Sequence, residues 1–258
     1  MIKRSLKDLG KNGQIGDIMT IKTREEIVIL REGGRRLAQI LQKVVQAAKP
    51  GVSTFDLDRL AEELIFSSGG KPAFKGYRIR ETRSPYPASL CVSTNDEVVH
   101  GIPRKDRIFK DGDVVGLDIG MQWPASAKAT AGKPVSQMSN VKGQMSGLYT
   151  DMAVTIGIGK ISSERERLLR LTRESLDIGI NEVKPGAQVG DIGYAIECHL
   201  KKHGLGVVRD LGGHGVGYEL HEEPLIPNYG RPHSGPELKE GMVIAIEPMA
   251  TLGDWRVV

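Results

Sequence analysis

The feature that most constrains this chain is that it repeats itself. The segment KPGVSTFDLDRLAEELIFSSGG from Lys49 aligns with KPGAQVGDIGYAIECHLKKHG from Lys184 at one constant offset of 135 (184 − 49). Lys, Pro, Gly, Asp56/Asp191, Glu62/Glu197 and Gly69/Gly204 all match. KDGDVVGLDIG from Lys110 aligns with KEGMVIAIEPM from Lys239 at offset 129 (239 − 110), which sets Asp118 on Glu247. A weaker third match sets His100 of VVHGIP on His221 of ELHEEP at offset 121 (221 − 100). KPG is a common helix stop and DGD a common turn, so one match alone carries little. Three in the same order point to two halves built on one plan, and a site between such halves is a natural place for a ligand.

The periodicity fills in an α+β chain. Residues 1–20 are polar and glycine-dotted and read as an N-terminal extension. Ile27, Leu30, Gly34, Leu37, Leu41, Val44 and Ala48 then recur in steps of three and four, one face of a helix that Lys49-Pro50-Gly51 stops. A second helix begins near Ser53, where Ser53 and Asp56 resemble a capping box. Strand-like runs occupy about 88–94, 113–120, 152–158 and 242–247, with helices at about 164–182 and 191–202.

Composition bounds the function classes. With 39% hydrophobic and 26% charged residues, 258 residues make an ordinary globular chain, long enough to bury its core without staples. No apolar run reaches the roughly 20 residues of a membrane span, and no secretory leader is visible. Cys91 and Cys198 are too few and too far apart for a disulfide framework, which makes the cytoplasm the default compartment. The net charge is +4, with Lys3, Arg4, Lys7 and Lys11 clustered at the N-terminus. A solvated arm is the favoured reading; docking on an RNA-rich surface such as the ribosome is the sharper one. Aromatics are 5% and do not alternate with basic residues, which argues against a nucleic-acid substrate.

Three carboxylates stand in apolar strand-like surroundings. Asp118 ends the run Val114–Leu117, Glu247 follows Val243–Ile246, and Asp151 opens the run Met152–Ile158. Burying a carboxylate is costly without charged partners, so the three together suggest a cage for a hard metal ion. Any one of them alone reads as an ordinary strand-end acid. His214 lies in GGHGVG, where glycines let backbone approach the imidazole in a tight turn, and His221 and His100 sit beside Glu-Glu-Pro and Gly-Ile-Pro. Each histidine alone is more often structural. Carboxylates with a histidine suit Mn, Fe(II), Co or Zn, and bridged ions of this kind activate water at neutral pH, which points to hydrolysis. There is no G-x-S-x-G elbow, Walker loop or G-x-G-x-x-G fingerprint at the histidine. Cys91 in SLCVS reads as a packing thiol, with a Cys/His nucleophile as its alternative.

At these residues the chain resembles the type I methionine aminopeptidases. The likeness runs from about Ile21 to the end, through CVSTNDEVVHGIP, KDGDVVGLDIG, YTDMAVTIGIGK, GGHGVGYELHEEP and GMVIAIEPM. It implies the pita-bread fold, with two pseudo-symmetric αβ halves, a curved antiparallel sheet and outer helices. It also implies two divalent metal ions (Fe, Mn, Co or Zn) and removal of methionine from nascent polypeptide N-termini by a monomeric cytoplasmic enzyme. By the same resemblance Asp118 binds one metal, Asp151 bridges both, and His214 and Glu247 bind the other. His100 contacts the substrate amide and His221 stabilises the oxyanion, while Tyr86, Cys91 and Leu220 line the methionine pocket.

The chain departs from the family pattern in two places. The family carries a further bridging glutamate after the Glu247 motif, whereas Asp254 is the only acid here beyond Glu247, so the C-terminal strands are expected to be missing. Asp118 and Asp151 stand 33 apart (151 − 118) where about a dozen is usual, so an insertion is expected over about 123–146, read as a flap at a hairpin tip. The rival readings are an Xaa-Pro aminopeptidase or prolidase on the same fold, and a catalytically dead pita-bread protein that binds RNA or ribosomes.

Overall fold

The computed structural model describes residues 19–78, 84–124 and 147–257. Apart from Met19 and Thr20 the expected extension lies outside the described residues, and so does the expected insertion apart from Trp123 and Pro124. The chain divides into two compact units. Lys22–Ile161 with Gly217–Leu220 form one, called the N-terminal unit below. Ser162–Val216 and His221–Val258, with the described residues Met19–Ile21, form the C-terminal unit.

In the N-terminal unit, helix α1 (Arg24–Ala47) starts at a capping box. Glu26 N–H donates to Thr23 Oγ1 at 3.2 Å, and Thr23 N–H donates back to the Glu26 carboxylate at 2.8 Å. Its buried stripe is Ile29, Leu30, Gly33, Leu37, Ile40, Leu41 and Val44. The expected stripe was therefore one residue off at Ile27 and Gly34, which are only half-buried. The reason is contact: a Cβ on Gly33 would sit 2.9 Å from Trp123 Cβ, so the helix comes closest to the sheet there. Helix α2 (Thr54–Ser67) is capped by Ser53 as expected, with Asp56 N–H donating to its hydroxyl at 3.0 Å.

Strands β1 (Lys71–Pro72), β2 (Leu90–Thr94), β3 (Val114–Trp123) and β4 (Leu148–Gly157) form one antiparallel sheet around β3. β4 pairs along the whole of β3, from Val114↔Gly157 to Trp123↔Leu148, while β2 and β1 share its other edge. Asp118 and Asp151 therefore do not stand at strand ends. β3 runs five residues past Asp118, and β4 begins three residues before Asp151. Val115, Leu117, Ile119, Met121 and Trp123 are buried at every second position, a period-2 pattern that runs to the end of β3.

Asp58 of α2 is buried and ties the helix to β2: its Oδ1 accepts from Ser89 N–H at 2.8 Å and Leu90 N–H at 2.9 Å. Burial raises its pKa above the ordinary carboxylate value, against those two donors. For an acid with a raised pKa the ionised form costs stability, so its contribution worsens as pH climbs from the ordinary value through the raised one. Asp58→Asn keeps one oxygen for both donors and removes that cost. We expect it to be as stable as the parent near neutral pH, with a flatter stability profile from pH 4 upward. Asp58→Ala leaves two buried N–H groups unpaired and is expected to lose about 3 kcal/mol in urea unfolding.

The C-terminal unit uses the same parts. Helices α3 (Ser163–Asn181) and α4 (Val189–Lys202) are followed by the short strands β5 (Gly206–Val207), β6 (Gly212–Gly215), β7 (Glu222–Pro227) and β8 (Ala250–Thr251). β5 pairs with β8 and β6 with β7. Leu171, Val189, Ile192, Ile196, Leu200 and Ile226 form its core, with Ile244 and Ile246 packed against them. Residues 242–247, expected as a strand, make a single isolated bridge, Gly215↔Ile244.

Even so, this segment keeps the register of β3. The bridge Gly215↔Ile244 corresponds to the pair Thr94↔Val115 at offsets 121 (215 − 94) and 129 (244 − 115). Val216 N–H donates to Val243 O at 3.0 Å, as Asn95 N–H donates to Val114 O at 2.7 Å. The isolated bridges Ser53↔Ile108 and Gln188↔Glu237 are likewise repeat partners. So are the left-handed glycines Gly51 and Gly186, and Gly112 and Gly241. The repeat read in the sequence is thus a repeat of hydrogen-bond register.

Candidate metal centre and substrate pocket

One face of the N-terminal sheet carries the acids. Asp118 pairs across to Cys91 on β2 and Ala153 on β4, and Asp151 pairs to Gly120. Pairing sets side chains on a common face, and a two-residue offset is a diagonal neighbour on that face, so Cys91, Asp118 and Asp151 point the same way. The apolar residues between them, Leu117 and Ile119, point to the opposite, fully buried face. Asp151 Oδ1 accepts from Met152 N–H at 2.9 Å. Gly120 lets Phe74 pack closely against the strand beside the acids: a Cβ there would lie 2.6 Å from the Phe74 ring.

The same face carries an apolar cluster. Ala73, Phe74, Cys91 and Leu220 are buried together, with Tyr77, Tyr86 and Tyr149 packed against them. Three predicted pocket residues, Tyr86, Cys91 and Leu220, are therefore neighbours. Burial first, then the Asp118 carboxylate, pushes the Cys91 thiol well above its ordinary range, so it stays protonated. That favours the packing reading over the nucleophile. Burial likewise raises the Tyr86 phenol, whose hydroxyl donates to Gly101 O at 2.9 Å.

That bond helps hold His100. Val92 N–H donates to Gly101 O at 2.9 Å, and Gly101 N–H donates to Ser93 Oγ at 3.1 Å. A Cβ on residue 101 would meet Val92 O at 2.2 Å, so glycine is required there. Clamped in this way, His100 adopts φ 57°, a left-handed conformation that non-glycine residues enter only under constraint. The residue is exposed, yet surrounding protein lowers its pKa and the Asp151 carboxylate pulls it back up. Ser93 was not singled out from the sequence. The signal was the repeat, since offset 121 (214 − 93) places Ser93 on His214.

The C-terminal unit holds the other predicted ligands. His214 lies in strand β6, not in the expected turn, at a register shift between Gly213 and Gly215. Such a bulge re-aims a side chain. His214 is 7% exposed. Its Nδ1–H donates to Gly215 O at 2.8 Å; the carbonyl can only accept, so a neutral ring presents a lone pair at Nε2. That Nε2 lies 3.2 Å from Glu247 Oε1, yet the contact completes no hydrogen bond. Glu247 Oε1 is buried and has no hydrogen-bond partner among the described residues. Two acceptors facing each other in a buried place is unfavourable by itself and is relieved by a shared cation. The donor set therefore fits a divalent metal ion. The ring of His221 stands 4.4 Å from that of His214, edge to face at 64°.

Carboxylates and one imidazole, carried by β3, β4, β6 and the segment 242–247 of a twice-used αβ plan, define a class: α+β proteins built around hard or borderline metal ions. The chain belongs to metallopeptidase family M24, whose model matches residues 28–131 and 124–258. The methionine aminopeptidase of Clostridium acetobutylicum is 40% identical over 240 residues, 93% of this chain and 85% of that one. The crystal structure of methionine aminopeptidase from Thermotoga maritima superposes with a TM-score of 0.80 at 40% identity, covering 93% of this chain and 86% of that one. A prolidase from Pyrococcus horikoshii superposes at 0.68 with 22% identity, covering 90% of this chain and 56% of the prolidase, which shows a common fold. The expected α+β pita-bread fold is borne out. No helix among the described residues is long and apolar enough to cross a membrane.

Proposed function

We propose that this chain removes N-terminal methionine from nascent polypeptides by hydrolysing the first peptide bond. Asp118, Asp151, His214 and Glu247 would hold two divalent ions drawn from Fe, Mn, Co or Zn. The observation that carries this reading is Glu247 Oε1, buried, without a hydrogen-bond partner among the described residues, and 3.2 Å from His214 Nε2. Sequence identity of 40% to a methionine aminopeptidase supports the substrate. When bound, the ions supply an activated water and polarise the scissile carbonyl.

The chain's own residues do the rest. The apolar cluster around Phe74, Cys91 and Leu220 accepts the methionine side chain. His100, clamped at φ 57°, contacts the substrate amide, and His221 donates a hydrogen bond to the oxyanion as it forms. Cys91 and Cys198 are both free thiols, in keeping with a cytoplasmic enzyme. A monomer is the simplest working form, and contact with the ribosome surface would fall to the basic N-terminal residues.

Free methionine released from Met-Ala-Ser, with and without Mn²⁺, Fe²⁺ or Co²⁺, tests the reading, with an Xaa-Pro dipeptide as comparison. Metal-dependent release from Met-Ala-Ser alone is expected. Cleavage confined to the Xaa-Pro substrate would move the assignment to prolidase chemistry. A folded protein that binds no metal and cleaves neither substrate would overturn it.

A further inference from the structure

Leu220 and His221 are delivered by a short segment with its own anchorage. Gly217–Leu220 belongs to the N-terminal unit, though the residues on either side of it do not. Its ties are specific. Tyr149 N–H donates to Gly217 O at 2.7 Å. The Tyr218 hydroxyl donates to Glu26 Oε2 at 2.7 Å. Lys22 Nζ stands 5.2 Å above the Tyr218 ring, and a Cβ on Gly217 would meet Lys22 Cε at 2.3 Å. Both Lys22 and Glu26 are buried, at 4% and 5% exposure. Two residues beyond the segment, within the C-terminal unit, Glu222 accepts from the Thr20 hydroxyl.

Glu26 is the centre of this arrangement. Its Oε2 accepts from Thr23 N–H at 2.8 Å, Thr23 Oγ1 at 3.1 Å and Tyr218 Oη at 2.7 Å. The carboxylate that caps α1 thus also holds the chain leading into the pocket wall and the oxyanion histidine. A surface loop has no need of a buried carboxylate with three donors; a loop whose end must be placed to a fraction of an ångström does.

We infer that Glu26 and Tyr218 are positioning residues for methionine removal: they fix the backbone of residues 217–221 so that Leu220 closes the pocket and His221 meets the oxyanion. This rests on the function proposed above.

The test uses Tyr218→Phe, Glu26→Gln and Glu26→Ala in the full chain. Tyr218→Phe loses one hydroxyl and keeps the ring. It should lower kcat on Met-Ala-Ser about 10-fold with KM changed less than about 3-fold, the pattern of a misplaced transition-state contact. Glu26→Gln retains an acceptor and should keep most of the activity that Glu26→Ala loses. Amide hydrogen exchange gives a second readout that needs no activity. In Tyr218→Phe, residues 217–222 and Tyr149 should exchange about 10-fold faster or more, while Leu117 of β3 is unchanged. Wild-type kcat together with unchanged exchange in Tyr218→Phe would overturn the inference. A parent protein that releases no methionine would sink the proposed function, and the exchange pattern would still decide the anchor.

Discussion

Glu247→Gln is expected to lower metal-dependent methionine release by about 100-fold or more while making the metal-free protein slightly more stable. The two effects have one cause. In the parent, Glu247 Oε1 is buried, lacks a hydrogen-bond partner among the described residues, and faces His214 Nε2 at 3.2 Å. A glutamine presents an N–H to that lone pair, which should stabilise the metal-free state by about 1 kcal/mol. The same change removes a charged donor from the metal. Losing even an outer partner of a metal site typically costs 10–100-fold, so losing a direct ligand should cost at least about the upper figure. Thermal unfolding in EDTA and in Mn²⁺ separates the effects: Tm rises slightly in EDTA, and the metal-induced rise disappears. An unchanged metal-induced rise would remove Glu247 from the ligand set.

The second large effect is expected at a residue with no side chain. A Cβ on Gly213 would lie 2.1 Å from Ala245 O and 2.9 Å from the carbonyl carbon, and backbone cannot yield as a flexible side chain does. Gly213→Ala must therefore push residues 243–247 away from β6, against the 2.7 Å bond from Ala245 N–H to His214 O. Overpacking of this kind costs about 3 kcal/mol, and here it also separates His214 from Glu247. Urea unfolding should show the loss of stability, and calorimetric titration with Mn²⁺ should show weaker binding even where the protein remains folded. A variant of parental stability and metal affinity would mean that residues 243–247 are not held as described.

The repeat, the helix boundaries and the metal-donor types were legible because they are local or periodic. KPG stops and Ser53 capping act within a turn of helix, and the offsets 135, 129 and 121 survive in plain alignment. Asp118 and Glu247 could be matched to each other without any structure, and the segments that carry them share a hydrogen-bond register at Val114–Val115 and Val243–Ile244. The stripe of α1 was misjudged by one residue because a helical face is decided by what packs on it. Trp123, 90 positions away (123 − 33), chooses Gly33. Asp118 and Asp151 were set at strand ends because the strand-like runs were bounded by consecutive apolar residues, whereas the ladder continues past them on backbone hydrogen bonds that carry no side-chain signature.

By itself the sequence determined the family, the two-fold plan and the candidate donors Asp118, Asp151, His214 and Glu247, since each rests on residue type and spacing. Only the tertiary structure decided the conformations that would make those donors useful. It set the left-handed clamp on His100 through Gly101, Ser93 and Tyr86, the Nδ1–H bond that fixes the His214 tautomer, and the Glu26–Tyr218 anchor spanning 192 positions. These are contacts between residues far apart in the chain or along backbone atoms, and neither propensity nor periodicity encodes them; they exist once packing has brought the partners together.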